Sequence, residues 1–161
     1  MQTVLTEEAS RAINAILETL LDKVEAEAVF LCDRGGNIVA EYSMAAYPNI
    51  ENIGALAAGS FFATLELARL VGEPQFRCMN HQGEKTSMYM EGLNEDLLLV
   101  IVFGKDSNIG LVKLYAKHVG RELAKFNIAV DTSEGGDARM SSVKLEIDEN
   151  AQAFVRFQRE D

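Results

Sequence analysis

The sequence predicts an α+β domain of the broad α/β class. Its core is a central five-stranded antiparallel sheet, with elements in the order α-β-β-α-β-β-β-α. Three observations predict it. A stretch near each end of residues 7–130 repeats apolar residues three or four apart, as helices with one buried face do. Five runs of strand length are joined by reversals rich in Gly, Asn and Asp. Between the second and third runs, residues 50–71 form a helix whose sides are nearly all apolar or small. The two terminal helices should lie on one face of the sheet and the long middle helix on the other.

The first helix should cover about residues 7–25. Thr6 is placed to cap it, and Glu7 and Glu8 suit the positive end of its dipole. Ala9, Ile13, Ile16, Leu17, Leu20 and Val24 make its buried face, with Arg11, Glu18, Asp22 and Glu25 opposite. Ala28–Cys32 and Ile38–Tyr42 flank Asp33-Arg34-Gly35-Gly36-Asn37, whose adjacent glycines accommodate a tight hairpin reversal. No helix and lysine follow that loop as a phosphate cradle requires.

Ser43–Asn49 reads as a connection, with Asn49 the cap of the second helix. Gly54, Ala55, Ala57, Ala58, Gly59, Ser60, Ala63 and Ala68 keep that helix thin, while Ile53, Leu56, Phe61, Phe62, Leu65 and Leu67 supply bulk. Each helical glycine costs about 1 kcal/mol against alanine, so close packing is the economical explanation. A helix with one buried face would show a narrower stripe, and this one is expected to meet its own sheet and a second molecule.

Gly72 and Pro74 end the helix. Strands are expected at about 75–80, 86–91 and 97–103, with reversals at His81–Glu84 and Gly92–Glu95. Leu97–Phe103 has no polar alternation and should be covered on both faces. Asp106 or Ser107 caps a third helix whose stripe runs Ile109, Val112, Ala116, Val119, Leu123, Phe126 and Val130. The domain is thus read as residues 1–130. Residues 131–161 form a tail with eight acidic and four basic residues, either mobile or loosely docked, or ordered by a partner or ligand. Within it Val143, Leu145 and Ile147 alternate like a strand, and Ala153, Phe154 and Phe157 offer a small docking face.

At 161 residues the chain suffices for one core burying about 70% of its unfolded surface. Fifteen basic against twenty-five acidic residues argue against nucleic acid and anionic membrane as partners. The first residues lack the pattern of a signal peptide, and no apolar run is read as approaching the length of a membrane helix, so a cytoplasmic location is expected.

Cys32 and Cys78 both sit in apolar strand-like runs and are expected to be buried, reduced packing residues. His81 falls in a polar reversal and His118 on the polar side of the third helix, and neither makes a convincing base. Nucleophile-elbow, zinc-helix, Walker and dinucleotide motifs do not occur, and no catalytic residue, cofactor or metal is expected. Phe61, Phe62, Met79, Met88, Tyr89 and Met90 read either as an adaptable surface or as ordinary core and dimer packing. Arg69, Arg77, Lys85 and Lys105 either face an acidic partner near it or are simply solvated.

In this order, VFLCDRGGNIVA, LAAGSFFAT, LARLVGE, HQGEKTSMYM, LLLVIVF and GLVKL resemble the Roadblock/LC7 family, in its bacterial MglB branch. The resemblance spans roughly residues 10–128 and leaves the tail unmatched. It implies a homodimer whose second helices pair and whose sheets join, with a Ras-like, MglA-like small GTPase as partner. In that family the dimer stimulates GTP hydrolysis and, in some members, nucleotide exchange, within a polarity or gliding-motility switch. The resemblance carries the dimer contact to Ala57, Ala58, Gly59, Phe62, Ala63 and Leu70, and treats His81, Gly83 and Lys113 as fold positions. A noncatalytic Roadblock scaffold is the alternative reading.

Overall fold

The computed structural model describes residues 7–131 and 142–147, with side chains described over 7–125. Helix α1, Glu7–Val24, buries Ala9, Ile13, Ile16, Leu17, Leu20, Leu21 and Val24 on one stripe. It stops where Glu25 takes a left-handed φ of 52°. The expected cap, Thr6, lies outside the described residues.

Strands β1 (Ala26–Asp33) and β2 (Ile38–Ser43) form the expected hairpin. Strands β3 (Cys78–Gln82), β4 (Ser87–Gly92) and β5 (Leu97–Phe103) follow α2 (Ile50–Leu70), and all five pair antiparallel in the order β2-β1-β5-β4-β3. Every residue of β5 is buried, as a strand without polar alternation requires. Its period of two splits the core. Leu97, Leu99, Ile101 and Phe103 meet the helices of one face, and Leu98, Val100 and Val102 meet α2 on the other. The first face is closed by α1 and by α3, Ile109–Ala124, through Val112, Ala116, Val119 and Leu123.

Two glycines lock α2 to the β1–β2 turn. Gly36 has φ 86°, and a Cβ on it would overlap the backbone of Ala55; a Cβ on Gly54 would lie 2.7 Å from Ile38 Cδ1 and 2.9 Å from the Gly36 carbonyl oxygen. At the far end Gly72, with φ 81°, closes the helix. Its N–H donates to the Arg69 carbonyl (3.2 Å), and the Glu73 N–H donates to that of Ala68 (2.9 Å).

Several local expectations are corrected. Asn49 does stand at the N-cap of α2 as expected, but at φ 58° it acts through its backbone, its carbonyl accepting the Ile53 N–H at 3.0 Å while its side chain makes no capping bond. The cap of α3 is Asn108, whose Oδ1 accepts the Leu111 N–H at 2.9 Å, and not Asp106 or Ser107. The reversal expected at His81–Glu84 sits two residues later, between β3 and β4. Gly83 meets the Thr86 carbonyl so closely that a Cβ there would overlap it, which draws His81 and Gln82 into β3. Cys78 is exposed, because β3 is an edge strand with little cover, whereas Cys32 is buried as expected.

The largest correction is at the end of α3. The helix ends at Ala124, and Phe126–Asp131 is a strand, β6, paired antiparallel with β7, Ser142–Ile147. Phe126 and Val130 satisfy a four-residue helical spacing, but Phe126, Ile128 and Val130 satisfy a two-residue strand spacing equally well. The alternation of Val143, Leu145 and Ile147 does fall on a strand. Ala153, Phe154 and Phe157 lie outside the described residues.

Candidate interaction surface

Helix α2 has two unlike sides. Gly54, Ala57, Ala58, Phe61 and Ala68 are buried, with Ala57, Ala58 and Phe61 packed against Phe30, Met90, Leu98 and Val100 of the sheet. The opposite side carries Leu56, 75% exposed, Leu67, 53%, and Leu70, 73%, with Ser60 and Ala63 between them. Positions 56, 60, 63, 67 and 70 alternate spacings of four and three, the period of a helix seam that meets another helix. Beside this seam Gly59 is open, with nothing within 4 Å of a Cβ placed on it. A leucine row this exposed is more than the single scattered apolar residues of an ordinary surface.

The six residues that the resemblance assigns to a dimer contact are divided by this geometry. Gly59, Ala63 and Leu70 lie on the open side, and Ala57 and Ala58 are buried on the sheet side. Phe62 is half-buried on the shoulder between. It stands edge-on to Phe61 with ring centroids 5.5 Å apart, and the Arg34 guanidinium lies over it at 5.2 Å. Leu56 and Leu67, read from the sequence only as filling bulk, prove to be major exposed residues of the open side. Their signal was the alternating four-three spacing.

The adaptable-surface grouping does not assemble. Tyr89 points into the α1–α3 core, while Met90 and Phe61 are buried in the α2 core and Met79 and Met88 are half-buried beside it. The Tyr89 hydroxyl donates to Glu91 Oε2 at 2.5 Å, and burial followed by that bond pushes its phenol well above the usual range. The four cations also separate. Arg69 pairs with Glu66 at 2.9 Å, Arg77 lines a cleft beside α2, and Lys85 and Lys105 line another concavity near the start of α3. His81 is exposed on β3 with Nε2 2.8 Å from Met79 Sδ, and His118 and Lys113 are exposed on α3. Cys32, beside Asp33, has its thiol pushed up to about 12, by burial first and by that carboxylate second. Among the described residues no three His, Cys, Asp or Glu side chains gather as metal ligands would.

The sheet is thus closed on one face by two helices and on the other by a helix that keeps a second apolar side uncovered. The Roadblock/LC7 domain model matches residues 12–103, and the chain belongs to that family. Among solved structures it is similar to Myxococcus xanthus MglB, with 33% identity and a TM-score of 0.66 over 70% of this chain and 92% of that one. The gliding protein MglB of Thermus thermophilus is 32% identical with a TM-score of 0.69, over 76% of this chain and 93% of that one. An MglB in a tetrameric arrangement is 32% identical with a TM-score of 0.70, over 76% and 92%.

Proposed function

We propose that the chain is a homodimeric regulator of a Ras-like, MglA-like small GTPase in a bacterial polarity or motility switch, stimulating GTP hydrolysis. The observation that carries the reading is the open leucine seam of α2, on a fold close to MglB structures across more than nine-tenths of their length. In this reading two α2 helices meet along Leu56, Gly59, Ala63, Leu67 and Leu70, with Phe62 at the margin. The paired helices then make one continuous platform. Ala57 and Ala58 support the contact from beneath, through their packing on the sheet.

Hydrolysis by such a GTPase requires a positioned water and compensation of the charge spreading over the transferred phosphoryl group. Two arginines near the platform are already engaged, Arg69 with Glu66 and Arg34 over Phe62. The sequence carries no distinctive exposed arginine motif, which agrees with a dimer that makes the GTPase rearrange its own arginine and glutamine. We read residues 1–130 as the Roadblock/LC7-like domain, the acidic residues 131–161 as its tail, and the cytoplasm as the place where it meets the GTPase.

The test is phosphate release and nucleotide exchange by a cognate MglA-like GTPase with and without the purified protein. Faster phosphate release with no hydrolysis by the protein alone is the expected result. A stable complex with both rates unchanged refutes regulation and selects the scaffold reading.

A further inference from the structure

One cleft is left over by this reading. Beside α2, a concavity of about 550 Å³ opens between Phe61, Phe62 and Leu65 of the helix, the Pro74–Arg77 connection, Arg34 of the first turn, and Gly92–Glu95 of the β4–β5 turn. Its wall is mixed: Phe61, Phe62 and Phe76 stand on it beside Gln75 and Asn94, with two guanidiniums and one carboxylate at its rim. Neither Arg34 nor Arg77 forms an ion pair among the described residues, in a chain of net charge -10. Glu95 has no ion pair there either. The cleft therefore offers aromatic cover and charges of both signs to something that brings aromatic rings and charges of its own.

The chain carries such a segment, and it begins just after β7, within reach of this cleft. Strand β7 ends at Ile147, which pairs with Phe126, two residues past the end of α3. Gly120, near that end, packs on Leu93, where an added Cβ would lie 3.2 Å from Leu93 Cδ2, and Leu93 lines the cleft. Gly120 stands four residues before the end of α3, about 6 Å along its axis, and Phe126 follows two residues later. Seven residues separate Ile147 from Phe154 and reach up to about 25 Å. Phe154 and Phe157 stand three apart, as side chains on one face of a helical turn do, with Arg156 and Arg159 for Glu95 and Asp148, Glu149, Glu160 and Asp161 for the two rim arginines.

We propose that the cleft between α2 and the β4–β5 turn is the docking site of the chain's own residues 148–161, seated through Phe154 and Phe157. The inference rests on the cleft and the chain's path, not on the GTPase reading, and its test involves no GTPase.

Hydrogen exchange on the full chain decides it. In the unsubstituted protein, amides of 150–158 are expected to exchange at least roughly tenfold more slowly than in an unstructured peptide. Phe154→Asp with Phe157→Asp should remove that protection and also speed exchange at 74–77 and 92–95. Arg34→Gln with Arg77→Gln should free the same segment, while Lys85→Gln with Lys105→Gln, at the other concavity, should leave it seated. Unchanged exchange in β5 reports an intact fold, and the tail variant, which changes none of the residues lining the cleft, decides if the arginine variant fails to fold. Absence of protection at 150–158, or protection indifferent to the cleft arginines in a folded variant, overturns the proposal. So does protection that disappears on dilution, which assigns the cleft to the tail of a second copy, or protection that arises only when another protein is added.

Discussion

Gly59 and Gly54 sit five residues apart on α2 and should respond with opposite signs, which makes Gly59→Leu a sharp test of the helix seam. Within one chain Gly59 has φ in the ordinary range and nothing within 4 Å of an added Cβ. Replacing it with leucine should therefore stabilise the isolated subunit by somewhat under about 1 kcal/mol, the helix-propensity difference. If α2 meets its twofold mate there, the new side chain enters a close helix contact twice. Overpacking costs about 1–3 kcal/mol for each site, or about 2–6 kcal/mol per dimer, which weakens dimerisation by roughly 30-fold to about 10⁴-fold. Sedimentation equilibrium across a wide concentration range gives the dimer constant. Urea unfolding below that constant gives subunit stability free of the mass-action term. A variant that dimerises as the unsubstituted protein does refutes the seam. A variant that loses subunit stability refutes the open environment from which the argument starts.

Gly54→Ala should do the reverse of its neighbour: the Cβ would lie 2.7 Å from Ile38 Cδ1 and 2.9 Å from the Gly36 carbonyl, so a loss of about 1–3 kcal/mol outweighs the gain in propensity, read as a lowered urea midpoint. Asn108→Ala removes the acceptor of the Leu111 N–H and should cost about 1 kcal/mol in the same assay. With a thiol-reactive dye at pH 8 the folded chain should modify Cys78 and spare Cys32, and both should react in denaturant; rapid labelling of two thiols in the folded state contradicts the burial. The folded Cys32 thiol lies at about 12 against an ordinary 9.0, so the unfolded chain releases its proton first as pH rises. That linkage leaves stability whole below pH 9 and withdraws it above, by up to about 1.4 kcal/mol per pH unit; Tyr89, also shifted upward, acts in the same direction, and a urea midpoint constant from pH 8 to 10.5 would contradict both.

Most of the fold was legible because each buried stripe had one reading. The seven buried positions of α1 recur at a single helical phase, and β5 has no polar residue to turn outward, so its place between two layers follows from composition alone. The errors fall where two readings coexist. Phe126 and Val130 fit a helix and a strand alike, and only the pairing with Ser142–Ile147, eleven residues beyond β6, selects the strand. Cys78 stands in an apolar-looking run, yet nothing local to it states that its strand is at the edge. On α2 the extent was legible and the rotation was not. Alanines and glycines occur on all its sides, so Ala57 and Ala58 look like Gly59 and Ala63 until the Gly36–Gly54 contact fixes which side meets the sheet.

The same ambiguity bears on what covers the open side of α2. By length and composition Ile50–Leu70 could cross a membrane, contrary to the expectation that no segment approaches a span, because small residues raise its apolar average without adding polar interruptions. A lipid environment fits its pattern poorly. Phe61, Ala57 and Ala58 are already committed to the sheet core, and the Glu66–Arg69 ion pair sits within one turn of Leu70 with both side chains about 70% exposed. In hydrocarbon that pair would lose its water, which costs several kcal/mol per ion. Against another protein helix the seam closes on Leu56, Ala63, Leu67 and Leu70 while the pair keeps its water at the margin. In the dimer reading the helix is divided between two cores, one inside the chain and one shared, and Gly54 faces the first while Gly59 faces the second.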